Sequence, residues 1–243
     1  MFSMDRQRAR NGVLMVSLLL FPVTMNYLSP YIIIDAASQG VINGSFVVFT
    51  VLFISSLFVG RLWCGWLCPG NGLNNLCGLV NHKPAEGGRR DLIKYVTWGL
   101  WLAAIAYTAV SAGGYGQLDL FYLTESGISV AEPQSYVMYY VIVGLFVALN
   151  LVFGRGAVCH YLCWMAPFMV VGNRIKNALG YPGLHLEADK GSCIGCGACT
   201  RGCPMGLEVQ DMVQGGAMLQ GECIHCGTCI DTCPKGVIRW SWW

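Results

Sequence analysis

The fifteen lysine and arginine residues of this chain fall only within residues 1–11, 61–94 and 155–239. Two long apolar stretches fill each gap between these blocks, at about 12–34, 41–60, 93–112 and 136–153. Each is close to the ~20 residues that a helix needs to cross the hydrocarbon of a bilayer. The cation-free connections at 35–45 and 111–135 carry Asp35, Asp119, Glu125 and Glu132 instead. Cations are retained on the cytoplasmic side of a membrane, so the N-terminus, the 61–94 loop and everything after 154 are expected there. The pattern predicts a multi-pass protein of the cytoplasmic membrane, in contact with lipid. Composition agrees: 12% of residues are charged, against about 25% in an ordinary soluble domain. A cleaved signal peptide over residues 1–37 competes for the first stretch, but the apolar run after Arg6, Arg8 and Arg10 is too long for a signal core. Pro22 and Pro30 are expected to kink or shorten that span. A net charge of +2 gives no reason to expect nucleic acid.

Thirteen cysteines are distributed unevenly: three at 64–77, two at 159–163 and eight between 193 and 233. All fall at or near the predicted cytoplasmic face, where thiols stay reduced and metal or redox chemistry is favoured over disulfides. Residues 193–204 read CIGCGACTRGCP and residues 223–234 read CIHCGTCIDTCP. Both are Cys-x2-Cys-x2-Cys-x3-Cys-Pro, the spacing that holds two 4Fe–4S clusters, with the fourth cysteine of each run serving the other cluster. One cluster is therefore assigned to Cys193, Cys196, Cys199 and Cys233, and the other to Cys223, Cys226, Cys229 and Cys203. Zinc usually takes two separated Cys-x2-Cys pairs, which this double run does not resemble. Lys190, Arg201, Lys235 and His225 lie near these cysteines and are candidates for tuning cluster potential, or are simply solvated. The terminal RWSWW, with Trp240, Trp242 and Trp243, reads as a membrane-interface belt or a partner contact.

The second and fourth apolar stretches end alike. GRLWCGWLCPG follows the second and GRGAVCHYLCWMAP the fourth, with Gly60-Arg61 matching Gly154-Arg155, Cys64 matching Cys159 and Cys68 matching Cys163. Each half is a two-span hairpin followed by Cys-x3-Cys and a short amphipathic segment, so the halves form a parallel repeat. Residues 1–180 are expected to form a mainly α membrane domain of four transmembrane helices, with repeat halves at about 1–90 and 91–180. Residues 181–243 are expected to form a small α+β two-cluster ferredoxin domain. On a helix, residues four apart share a face, so each Cys-x3-Cys could present two thiols together. Cys64, Cys68, Cys159 and Cys163 are read as a third iron–sulfur or other metal centre, as redox-active thiols, or as thiols lining a substrate site. Packing alone does not require the same spacing twice. Cys77 has no counterpart and reads as packing.

These features resemble the NapH/MauN-type membrane quinol dehydrogenases, which are associated with periplasmic nitrate reductase systems and related to the methylamine-utilisation ferredoxins. The resemblance rests on CGWLCP at 64–69 and on the paired motifs at 193–204 and 223–234; CHYLCW at 159–164 departs from it by lacking the proline. It implies a subunit of a quinol-linked oxidoreductase, with quinone or quinol as substrate and other iron–sulfur or cytochrome subunits as partners. A quinol releases two electrons and two protons, whereas each cluster takes one electron, so a membrane site beside a cluster chain suits quinone exchange. His160, inside CHYLC, is the candidate proton acceptor, since histidine titrates near neutrality. Asn26 and Asn150 are candidates for a quinone carbonyl, and Tyr27, Trp63, Trp66 and Tyr161 for stacking its ring. Two alternatives stand beside electron transfer with the quinone pool. One is copper handling or cofactor maturation at the four membrane-surface cysteines, and the other is a non-catalytic subunit that wires and anchors a partner.

Overall fold

The computed structural model describes residues 2–242, so Trp243 lies outside the described residues. Proline decides the shape of the first apolar stretch. A helix runs from Phe2 to Leu19, a single turn spans Phe21–Thr24, a 3-10 turn spans Asn26–Leu28, and Pro30 opens the helix Pro30–Ser38. Pro22 and Pro30 each sit in the first turn of a new helix, where the missing N–H costs nothing. The carbonyls freed at the break are taken up by the loop before the last long helix: Ser129 N donates to Val23 O and Val130 N to Pro22 O. Asn26 Nδ2 donates to Leu123 O in the same loop at 2.6 Å.

Among the described residues, two helices are long and apolar enough to cross a membrane, Gly88–Ser111 and Ser135–Phe153. The expected second span is a helix over Gly44–Val59, 16 residues long and so about 24 Å, short of the ~30 Å hydrocarbon layer. Gly60, with φ +59°, ends it. At its start Asn43 caps the Phe46 amide and donates to Ile32 O. The four-helix expectation thus meets two full-length helices, one shorter one and one divided by proline.

The two halves exchange their amphipathic segments. The helix Met165–Leu179, which follows the second Cys-x3-Cys, packs along Gly44–Val59 of the first half. The helix Pro69–Cys77, which follows the first, packs on Ser135–Phe153 of the second and on the N-terminal helix. Phe168 locks the first exchange. It meets Phe49, Trp98 and Trp101 edge-on, with ring centroids 5.2–5.8 Å apart, each worth ~0.5–1.5 kcal/mol beyond burial.

Gly180, in the left-handed conformation, caps the Met165–Leu179 helix. The chain then forms a strand at Leu184–Ala188, antiparallel to Ile238–Trp242, with Leu186 opposite Trp240. Between them lie short helices at Ala198–Gly202, Val209–Gly215 and Thr228–Thr232. Trp240 is part of this sheet and stacks on His225, with centroids 6.1 Å apart. It therefore packs within the C-terminal region; Trp242 is exposed. The N-terminal helix grips this region as well: Arg6 and Gln7 both bond the Asp231 carboxylate, and Gln7 also donates to Cys226 O.

Candidate functional site

Two hollows in the C-terminal region are lined by cysteines. One has Cys193, Cys196, Cys199 and Cys233 in its wall. The other has Cys223, Cys226, Cys229 and Cys203. Each gathers three thiols from one run and the fourth from the other, and all are free. The remaining lining is mostly apolar: Ile194, Val213, Val237 and Ile238 in the first, Leu186, Met205, Met218 and Ile224 in the second. A single tetrahedral ion with metal–sulfur bonds near 2.3 Å would draw its sulfurs to about 3.8 Å from one another. Among the described residues no three cysteine sulfurs gather within 4.8 Å of one another, so these walls suit a larger group such as a cluster. Burial pushes the Cys223 thiol up to about 12, so binding a metal there would release a proton.

The Cys-x3-Cys pairs are built differently from the expectation of one helical face. Cys64 is in the short helix Leu62–Trp66, but Cys68 lies beyond it in an extended conformation. Pro69 enforces this, because a residue before proline is disfavoured in the helical region. In the second copy a π-helical turn over Val158–Leu162 holds Cys159, and Cys163 is again extended. Both copies close with the same backbone bond, Cys68 N to Trp63 O at 3.0 Å and Cys163 N to Val158 O at 2.8 Å. The second copy thus reaches the same geometry without the proline. Cys68, Cys159 and Cys163 line one apolar cavity of about 210 Å³, walled by Phe21, Phe146 and Trp164. Cys64 is not in the cavity wall; its Sγ lies 3.9 Å from Met169 Sδ and within electrostatic reach of Cys68, Cys159 and Cys163. Tyr27, Trp63, Trp66 and Tyr161 do not line the cavity. Tyr27 and Tyr161 donate to Gly127 O and Glu86 O, and Trp66 Nε1 to His225 O. Asn150 is buried with neither amide atom partnered.

Arg61, the first residue after the Gly60 turn, is fully buried. Its Nη1 donates to Glu222 Oε2 at 2.6 Å and to Glu222 O at 3.3 Å. Glu222 also accepts from Lys94 Nζ at 2.8 Å and Tyr95 OH at 3.1 Å. Lys94 reaches Asp91 Oδ1 at 3.4 Å, and the same oxygen lies 2.6 Å from His160 Nδ1. His160 Nε2 faces Met205 O at 3.2 Å. A buried chain of charges therefore runs from the residue beside Cys159 to the residue beside Cys223. Burial alone would raise the Glu222 carboxyl, but Arg61 and Lys94 outweigh it and hold the group below its usual range. Asp91, His160 and Glu222 bring ligand atoms within 4.8 Å of one another, yet the Lys94 ammonium between the two carboxylates already supplies the cation. Arg61 Nε and Nη2 have no partner. The second arginine of the repeat, Arg155, donates to Cys203 O at 3.1 Å. The two arginines thus grip the Cys223 hollow at both of its chain entries.

Sequence reasoning reached His160 but missed Asp91, Lys94, Tyr95 and Glu222. Lys94 did carry a signal, being a lone cation in an otherwise apolar stretch, which marks function by default. Glu222 carried none beyond standing next to Cys223.

The comparisons follow this geometry. A 4Fe–4S dicluster domain model matches residues 192–238, and a 4Fe–4S binding domain model matches residues 44–84 and again 136–182. The chain therefore carries 4Fe–4S ferredoxin-type domains. The second model falls once on each half of the repeat, enclosing one Cys-x3-Cys each time. The chain is 29% identical to protein RdxB of Cereibacter sphaeroides over 193 residues, covering 66% of this chain and 39% of that protein. It is 28% identical to the methylamine utilization ferredoxin-type protein MauN of Methylobacillus flagellatus over 153 residues, covering 61% and 50%. It is 24% identical to the putative electron transport protein YccM of Escherichia coli over 197 residues, covering 76% and 52%. The chain spans half or less of the length of RdxB and MauN. No solved structure matches.

Proposed function

We propose that this ferredoxin-type chain exchanges electrons between the membrane quinone pool and a redox partner complex, acting as a quinol dehydrogenase-like subunit. In this reading four segments traverse the cytoplasmic membrane, with the N-terminus and the C-terminal domain on the cytoplasmic side. The observation that carries it is the apolar cavity lined by Cys68, Cys159 and Cys163. It is the right kind of place for a flat, apolar ring, with Trp164 and Phe146 as walls. From there Arg61 and Glu222 lead to the Cys223 hollow and on to the Cys193 hollow.

Clusters held by the two sets of ferredoxin cysteines, and a third held by Cys64, Cys68, Cys159 and Cys163, would supply one-electron carriers. The protein's own residues do the rest. The apolar walls exclude water, and His160, one residue from Cys159 but outside the cavity wall, would take part in proton release as a member of the Asp91–His160–Met205 chain rather than by touching the ring. The test is anaerobic addition of a short-chain quinol to the iron-loaded protein in nanodiscs, following visible absorbance. Bleaching that slows at least tenfold in His160→Gln supports the reading. Clusters that dithionite reduces and quinol leaves untouched would refute it and favour a non-catalytic wiring subunit.

One observation favours a second reading. Cys64 Sγ beside Met169 Sδ pairs a thiol with a thioether, a soft donor set suited to Cu(I). Copper bound stoichiometrically, and lost in Met169→Leu, would support metal handling instead.

A further inference from the structure

A buried guanidinium with unmade hydrogen bonds marks a place where something negative belongs. Arg61 has no solvent exposure; its Nη1 is engaged by Glu222, and its side chain also lies against the Cys64 thiol. Nε and Nη2 point into the interior without a partner. Leaving such donors unsatisfied costs about 1–3 kcal/mol each, and more on a charged group. Glu222 and Asp91 balance Arg61 and Lys94 in formal charge, so what Arg61 lacks is hydrogen-bond acceptors at Nε and Nη2. Besides Glu222, the charged or titratable groups that act on Arg61 are thiols. Cys64 stands three residues on, across the turn closed by Gly65 N to Arg61 O, and Cys159 and Cys163 lie within electrostatic range. Four neutral thiols neither need nor satisfy a buried cation. Four thiolates around an iron–sulfur core carry net negative charge and present sulfur acceptors.

We propose that Arg61 is the positioning and charge-compensating residue of an anionic cluster held by Cys64, Cys68, Cys159 and Cys163, donating through Nε and Nη2 and raising that cluster's reduction potential. This rests on the reading of those four cysteines as a third iron–sulfur centre. Reduction adds one electron and one negative charge, which a desolvated cation at contact favours. The counterpart of Arg61 in the second half, Arg155, is half-buried, donates to Cys203 O and leaves only Nε buried without a partner.

The test is a dithionite titration of the anaerobically purified, iron-loaded full chain, monitored by electron paramagnetic resonance. It compares the parent with Arg61→Gln, Arg61→Lys and the Cys64→Ala/Cys163→Ala pair, with iron measured for each. Arg61→Gln keeps the Lys94–Glu222 pair, so the interface retains one balanced couple. The expected result is iron above the roughly eight per chain that two 4Fe–4S clusters hold, with the excess lost in the double cysteine variant. One signal moves to lower potential in Arg61→Gln, is largely restored in Arg61→Lys, and the Cys193-side signal does not move. A third signal whose potential ignores Arg61→Gln overturns the role of Arg61 and leaves the third centre standing. Iron near eight in the parent, unchanged by the cysteine pair, overturns both. If Arg61→Gln fails to load, Arg61→Lys decides: a potential equal to the parent's with normal iron supports charge compensation, and normal potentials with lost iron mean a merely structural role.

Discussion

The two ferredoxin motifs share one spacing and live in opposite surroundings. Residue 194 of CIGC is 59% exposed, whereas its counterpart Ile224 of CIHC is 2% exposed. Gly195 takes the left-handed turn in the first motif with φ +67°; His225 takes it in the second with φ +50°, which costs a non-glycine residue. That cost is offset by what His225 touches: Trp240 stacks on its ring and Trp66 donates to its carbonyl. The spacing decides which sulfurs gather. The residues between them decide whether a hollow faces water or the rest of the molecule.

The largest break in this asymmetry comes from Glu222→Gln. It leaves Arg61 and Lys94 buried without their carboxylate, and removing one member of such a group costs about 3–5 kcal/mol. The loss should appear as a lowered melting temperature, with the Cys223-side cluster released before the Cys193-side one. The same pair has a pH signature. A carboxyl held below its usual range contributes fully above about pH 4.3 and loses that contribution as pH falls through its lower folded value. Acid should therefore undock the second motif only below the ordinary carboxylate range, as followed by limited proteolysis.

The next effect is a direct contrast. Ile224→Ala should cost about 2–5 kcal/mol as a core truncation, whereas Ile194→Ala should stay within about 0.5 kcal/mol. Equal losses in denaturant titrations would erase the distinction between the motifs. Gly65→Ala acts on the same boundary, because a Cβ there would collide with the Ile224 carbonyl oxygen. Overpacking of this kind costs about 1–3 kcal/mol, and it should expose the second cluster to bleaching by ferricyanide. In the parent that reagent should reach the Cys193 side first. Arg6→Ala, which removes a mostly buried ion pair with Asp231 but leaves Gln7 on the same carboxylate, should cost about 1–3 kcal/mol.

Much of the candidate site was legible because it is written in short-range spacing. The eight C-terminal cysteines partition between two hollows as expected from their order, and the Gly-Arg and Cys-x3-Cys repeat reappears as matching turns. The rest depended on contacts that no local pattern encodes. Lys94 and Glu222 are 128 residues apart, and nothing near either announces the other. The first apolar stretch looked continuous to hydropathy, but Pro22 and Pro30 divide it. The tryptophan-rich tail carried a second signal that its composition hid. Composition suggested an interface belt, while the alternation Ile238, Trp240, Trp242 is that of a strand with Leu186 opposite Trp240. Period, not composition, was the informative signal there.

The clamp of the N-terminal helix on the second motif has a consequence for cluster retention. Gln7 binds Cys226 O, Arg10 Nη1 binds Gly65 O at 3.2 Å, and the Ile224 loop is closed between them. A cluster held in that hollow would be covered by the Phe2–Leu19 helix on one side and the Gly65 turn on the other, so Gln7→Ala should speed its loss to an iron chelator while leaving the Cys193 side unchanged.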